Sequence, residues 1–134
     1  MRVTGLDGKE YNLRLNNSEP KSSLHKKALN ITRGIFPSDT ILNEVSLPGA
    51  GNKVTKSLYA DIMIPSRRLI IEVHGEQHYS RVPFFQHTQR DFLMGQMRDR
   101  RKKEWSDLNS FAMIELPFDR ESEWENMISD YYKL

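Results

Sequence analysis

Cysteine is absent, and no apolar run approaches the roughly 18 residues that a membrane-spanning helix needs. The first absence removes disulfides and thiolate-ligated zinc, and fits a reducing cytoplasm. The second, together with the lack of a signal-peptide pattern, leaves no expectation of membrane insertion or secretion. Internal repeats, low-complexity tracts, a helix-turn-helix and a zinc finger are also missing. Neither sign of charge dominates, since 20 Lys and Arg stand against 18 Asp and Glu. The distribution of charge must therefore say more about partners than its total does. What remains is ordinary for one domain with a modest core: 134 residues, 37% apolar and 28% charged.

The most informative segment is LYADIMIPSRRLIIEVHGEQHY, with the pattern D-x10-E-x-H formed by Asp61, Glu72 and His74. Asp61 interrupts the strand-like run Leu58 to Ile64, Pro65-Ser66 makes a turn, and Leu69 to Val73 reads as a second strand. The two carboxylates then face each other across a hairpin, and strand alternation puts Glu72 and His74 on one face. Two buried carboxylates at one place are costly and repel each other. A divalent cation such as Mg²⁺ or Mn²⁺ resolves both problems. The structural alternatives are Asp61 bonded to backbone amides and Glu72 paired with Arg67 or Arg68. His74 and His78 have the i, i+4 spacing of a zinc pair, but that spacing works on a helix, and Gly75 after a β-rich run argues against one.

Around this centre the order is helix, strand, strand, strand, helix, strand, helix. Ser22 or Ser23 caps a helix with Leu24, Ala28, Ile31 and Ile35 at helical spacing, ended by Pro37. Ile41 to Leu47 is a strand, Pro48 to Lys56 a loop, 80–88 irregular, Gln89 to Leu108 a helix and Phe111 to Leu116 the last strand. Trp124, Met127, Ile128 and Tyr131 stripe a closing helix. The class is α/β, with a central mixed sheet flanked by helices. Residues 1–17 read as a hairpin appendage, and 18–134 as the main domain.

Three further segments carry a resemblance: Ser46-Leu47-Pro48-Gly49, Val73-His74-Gly75 and Arg98-Asp99-Arg100-Arg101. With the D-x10-E-x-H core, their order and spacing are similar to the PD-(D/E)xK nuclease superfamily, with His74 in place of the usual lysine, and within it to the very-short-patch repair endonucleases and the phage homing endonucleases of the EDxHD type. The resemblance spans about residues 22–117 and implies a restriction-endonuclease-like core. It implies Asp61, Glu72 and the Val73 carbonyl as metal ligands, His74 at the phosphate or at a water, and Asp99 as the group that orients the base. The repair enzymes carry a second histidine where this chain has Tyr79, with His78 one residue before it, so His74 and His78 are both candidate bases. Their early glutamate aligns near His25, and Glu44 is taken as the E of the motif.

The basic residues Lys53 and Lys56 in the loop, and Arg98, Arg100, Arg101, Lys102 and Lys103 in the long helix, can neutralise phosphates. A solvated helix face is the plain alternative. Phe84, Phe85 and Tyr79 can stack on bases or pack on the body, His87 reads as a solvated residue or phosphate contact, and Met94 and Met97 read as core fillers. The resulting expectation is a Mg²⁺- or Mn²⁺-dependent endonuclease hydrolysing double-stranded DNA, the catalytic domain of a homing or repair-type enzyme in a bacterial or phage-infected cytoplasm, dimeric if it cuts both strands. A non-catalytic nucleic-acid-binding relative and an RNA-processing nuclease on the same core are the alternatives.

Overall fold

In the computed structural model, residues 1–15, 17–20, 22–75 and 89–133 are described. Two short strands, β1 (Arg2–Thr4) and β2 (Glu10–Asn12), form an antiparallel hairpin. Helix α1 (Ser23–Ile35) starts at Ser22, whose hydroxyl accepts the His25 N–H at 3.0 Å. It ends just before Pro37, which cannot continue it. Strands β3 (Leu42–Ser46), β4 (Tyr59–Ile64), β5 (Leu69–His74) and β6 (Ala112–Pro117) follow, with α2 (Gln89–Leu108) before β6 and α3 (Trp124–Lys133) last. A 3₁₀ turn at Pro65–Arg67 joins β4 to β5 and closes on Arg68 in the left-handed region, φ 47°.

The four main strands make one sheet in the order β3-β4-β5-β6. The first three are antiparallel, whereas β5 and β6 run parallel. The sheet is therefore mixed, and helices cover it, as the α/β reading expects. The strands begin or end one residue away from their expected limits at Ile41, Leu47, Phe111 and Leu116.

Alternation along the strands divides the core in two. Ile62, Ile64, Leu69, Ile71, Ile114 and Leu116 meet Ala28 and Leu29 of α1 and Trp124 and Ile128 of α3. Val45, Ala60, Met63 and Ile70 pack with Trp105 of α2 and with Val3 and Leu13. The hairpin, expected as an appendage, thus contributes two side chains to the core. Asn109 ties it down further, accepting the Thr4 N–H at 2.7 Å and donating to the Thr4 carbonyl at 2.8 Å.

Candidate metal centre

Asp61 lies where the sheet's regular pairing gives way on both sides. Continued registers would set it opposite Glu44 in β3, between the pairs Asn43↔Ile62 and Val45↔Ala60, and opposite Glu72 in β5, beyond Ile62↔Ile71. Side chains replace the ladder there. The Asp61 N–H donates to Glu72 Oε2 at 2.8 Å, and the Val73 N–H donates to Asp61 Oδ2 at 2.8 Å. The two carboxylates of the D-x10-E pattern therefore meet across the hairpin, each bonded to backbone of the opposite strand.

Glu72 is buried, and its Oε1 accepts from Lys102 Nζ of α2 at 2.7 Å. Burial, and next the charge of Asp61, push its carboxyl up to about 7 in spite of Lys102. For Lys102, burial works to lower the ammonium's pKa. The Glu72 charge and hydrogen bond, with Asp61 and Asp99, outweigh that and raise it, so the lysine stays cationic. The expected partners Arg67 and Arg68 are elsewhere: Arg67 pairs with Asp39 at 2.9 Å, and Arg68 donates to the Asn109 carbonyl at 2.7 Å.

On the other side of Asp61 stands His25, a buried residue of α1. Its Nε2 is 3.0 Å from Asn43 Oδ1, and its Nδ1 is 3.7 Å from Glu44 Oε1. Successive strand residues normally point to opposite faces, yet Asn43 and Glu44 both reach this imidazole. Glu44 has φ 54° inside β3, a left-handed conformation that costs a non-glycine residue about 1–3 kcal/mol. That kink turns its carboxylate toward His25. Ligand atoms of His25, Glu44 and Asp61 all lie within 4.8 Å of one another, the only such metal-capable group of three among the described residues.

The other expected site residues are more scattered. His74 is buried, with Nδ1 4.0 Å from Glu115 Oε2 on the neighbouring β6. Asp99 lies one turn before Lys102 and acts on it through its charge. His78, with Tyr79, Phe84, Phe85 and His87, falls outside the described residues. The basic run on α2 divides. Lys102 turns inward to Glu72, and Arg101 donates to the carbonyls of Ala50 and Gly51 at 2.5 and 3.3 Å. Both are thus engaged with protein groups. Arg98, Arg100 and Lys103 are exposed, the last 3.5 Å from Asp107. Lys53 and Lys56 are exposed on the 48–56 loop, which Arg101 and a bond from the Trp105 indole to the Pro48 carbonyl fix against α2.

His25, and the pairing of Lys102 with Glu72 where a phosphate contact was expected, are what sequence reasoning misses. A trace exists for His25, which aligns near the first-helix glutamate of the EDxHD enzymes. Asn43, a buried polar residue beside Glu44 in β3, is the other signal. Lys102 is hidden among four basic neighbours. Compared with protein-family models, curated proteins and solved structures, the chain matches none.

Proposed function

We propose that the chain is a metal-dependent endonuclease that hydrolyses phosphodiester bonds of double-stranded DNA on a restriction-endonuclease-like core. The observation that carries this reading is Asp61, held between the Glu72–Lys102 pair and the His25–Glu44 pair. Acids and a lysine packed at one sheet position, with Glu72 raised by burial and then by the charge of Asp61, are the electrostatics of a site built around cationic or phosphoryl charge. DNA, rather than another phosphodiester, rests on the resemblance to the repair and homing endonucleases.

An oxygen-rich, negatively charged donor set fits a hard dication. Asp61, Glu72 and the Val73 carbonyl would hold Mg²⁺ or Mn²⁺, which supplies polarisation of a phosphoryl oxygen and a more acidic water. The chain's own groups do the rest. Asp61 is oriented by the Val73 N–H, and Glu72 by the Asp61 N–H and Lys102. Lys102 limits the negative charge that would otherwise repel a phosphate. His74 or His78 takes the proton of the attacking water, and Asp99 sets the orientation of the base. Arg98, Arg100, Lys103, Lys53 and Lys56 neutralise backbone phosphates.

Plasmid DNA incubated with the protein and Mg²⁺ should be cut, and EDTA or Asp61→Ala should abolish the cutting while the fold persists. Cleavage by Asp61→Ala at the wild-type rate would remove the site from the reaction. DNA binding with no cutting under any divalent ion would favour the non-catalytic reading, and cleavage confined to RNA the RNA-processing one.

A further inference from the structure

We propose that His25, Glu44 and Asp61 form a binding site for a first-row transition-metal dication of the Zn²⁺ type, distinct in ligand chemistry from the oxygen-only Mg²⁺ set and sharing only Asp61 with it. It shares that residue with the hydrolytic reading, but it is a statement about binding and stands without catalysis.

The imidazole is prepared as a ligand. Asn43 donates from its side-chain nitrogen to Asn17 Oδ1 at 3.2 Å, which fixes the amide so that Oδ1 faces the ring. His25 Nε2, 3.0 Å from that oxygen, must then carry the hydrogen. In the neutral ring this leaves the Nδ1 lone pair on the side of Glu44 and Asp61. Metal-binding histidines are generally oriented in this way, by donating their other N–H to an oxygen acceptor. The ring is 3% exposed, so water does not easily take the place of a ligand at Nδ1.

The carboxylates complete the set. Glu44 Oε1 is 3.7 Å from Nδ1, too far for a hydrogen bond and facing it acceptor to acceptor when the ring is neutral. Glu44 is kept there by a left-handed backbone conformation, φ 54°, that is costly for a non-glycine residue. Asp61 uses Oδ2 on the Val73 N–H, which leaves Oδ1 for an ion. Atoms bound to one Zn²⁺ at about 2.1 Å lie at most about 4.2 Å apart. Separations within 4.8 Å therefore need only small side-chain rotations to close. One imidazole nitrogen with two carboxylates favours Zn²⁺ and its neighbours in the transition series over Mg²⁺ or Ca²⁺, which take oxygen. Three protein ligands leave a coordination position open.

The test uses the full chain, freed of metal with a chelator, and Zn²⁺ alone. Long-range ¹H–¹⁵N spectra should show His25 protonated on Nε2 and not on Nδ1, and Zn²⁺ should shift its Nδ1 resonance. Calorimetry should give one Zn²⁺ per chain, not displaced by about a hundredfold excess of Mg²⁺. Glu44→Gln, nearly isosteric and partly exposed, should weaken Zn²⁺ about tenfold or more. The inference is overturned if His25 carries its proton on Nδ1, if Zn²⁺ shifts only other histidines, or if Glu44→Gln binds Zn²⁺ as wild type does. The spectra need no substitution, so a variant that misfolds does not blunt the test. Zn²⁺ binding without DNA cleavage would count against the nuclease reading alone, and cleavage without Zn²⁺ binding against this one alone.

Discussion

At the scale of single residues, Glu72 makes the sharpest measurable claim. A carboxyl with folded pKa about 7 against an ordinary 4.5 binds its proton more tightly in the native state. Stability of the metal-free protein should therefore be highest below about pH 4.5, as far as this group is concerned, and fall as pH rises toward 7. A tenfold difference in proton affinity between the folded and unfolded chain is worth about 1.4 kcal/mol, so the loss is on the order of 3 kcal/mol. Lys102, shifted upward, keeps its charge throughout that window and does not reverse the sign. Urea melts at several pH values, on wild type and Glu72→Gln, measure this. A slope unchanged by the substitution would show that Glu72 does not titrate there. Asp99 gives a second claim: Asp99→Asn should tighten DNA binding in Ca²⁺ by removing a negative charge, and slow cleavage in Mg²⁺. A normal rate would take Asp99 out of the reaction, with its charge still acting on Lys102. The carboxylates of this centre were legible because charge inside an Ile-rich strand is conspicuous. His25 was not, because a histidine in an amphipathic helix looks the same whether it faces solvent, core or metal.

At the scale of elements, most boundaries were legible and most orientations were not. Ser22, Pro37 and Pro65-Ser66 are local signals, and they mark α1 and the β4–β5 turn in the structure. Which side of α2 faces the sheet is a tertiary property. Its only buried residues are Trp105 and Ser106, so the helix lacks the apolar stripe from which a face could be read. Residues near Trp105 on the wheel turn inward, and Lys102 goes with them to Glu72. The five basic residues should therefore behave as two groups. Arg98→Ala with Arg100→Ala should weaken DNA binding on all sequences and reduce the salt slope by about 0.9 per lost contact. Lys102→Met should alter stability first, because it leaves Glu72 buried without its cation; such losses are commonly about 3–5 kcal/mol. Equal salt slopes for wild type and the double variant would make Arg98 and Arg100 a solvated face.

At the scale of the whole molecule, the α/β class and element order were readable from periodicity, whereas the part played by residues 1–17 was not. Three-residue strands carry little pattern, and their attachment is made by distant partners: Asn109 holds Thr4, and Asn17 accepts from the side chain and backbone of Asn43. Removing residues 1–17 should therefore cost stability through Val3 and Leu13, which lie in the core. It should also release Asn43 from its partner and so loosen His25. A truncated chain with the wild-type melting temperature and an unchanged His25 ring spectrum would show the hairpin to be dispensable.

The parallel pairing of β5 with β6 sets an order of assembly. Strands β3, β4 and β5 follow one another in sequence with no α-helix between them, so they can associate early, while β6 reaches its place only after α2 has crossed over. Asp61 and Glu72 belong to the early part, and Lys102 arrives with the late one. During folding the two acids therefore come together before their cation does. Protonation should relieve that stage, making refolding of the metal-free chain faster in mild acid than at neutral pH, while in the finished protein the delay survives only as a docking step governed by charge.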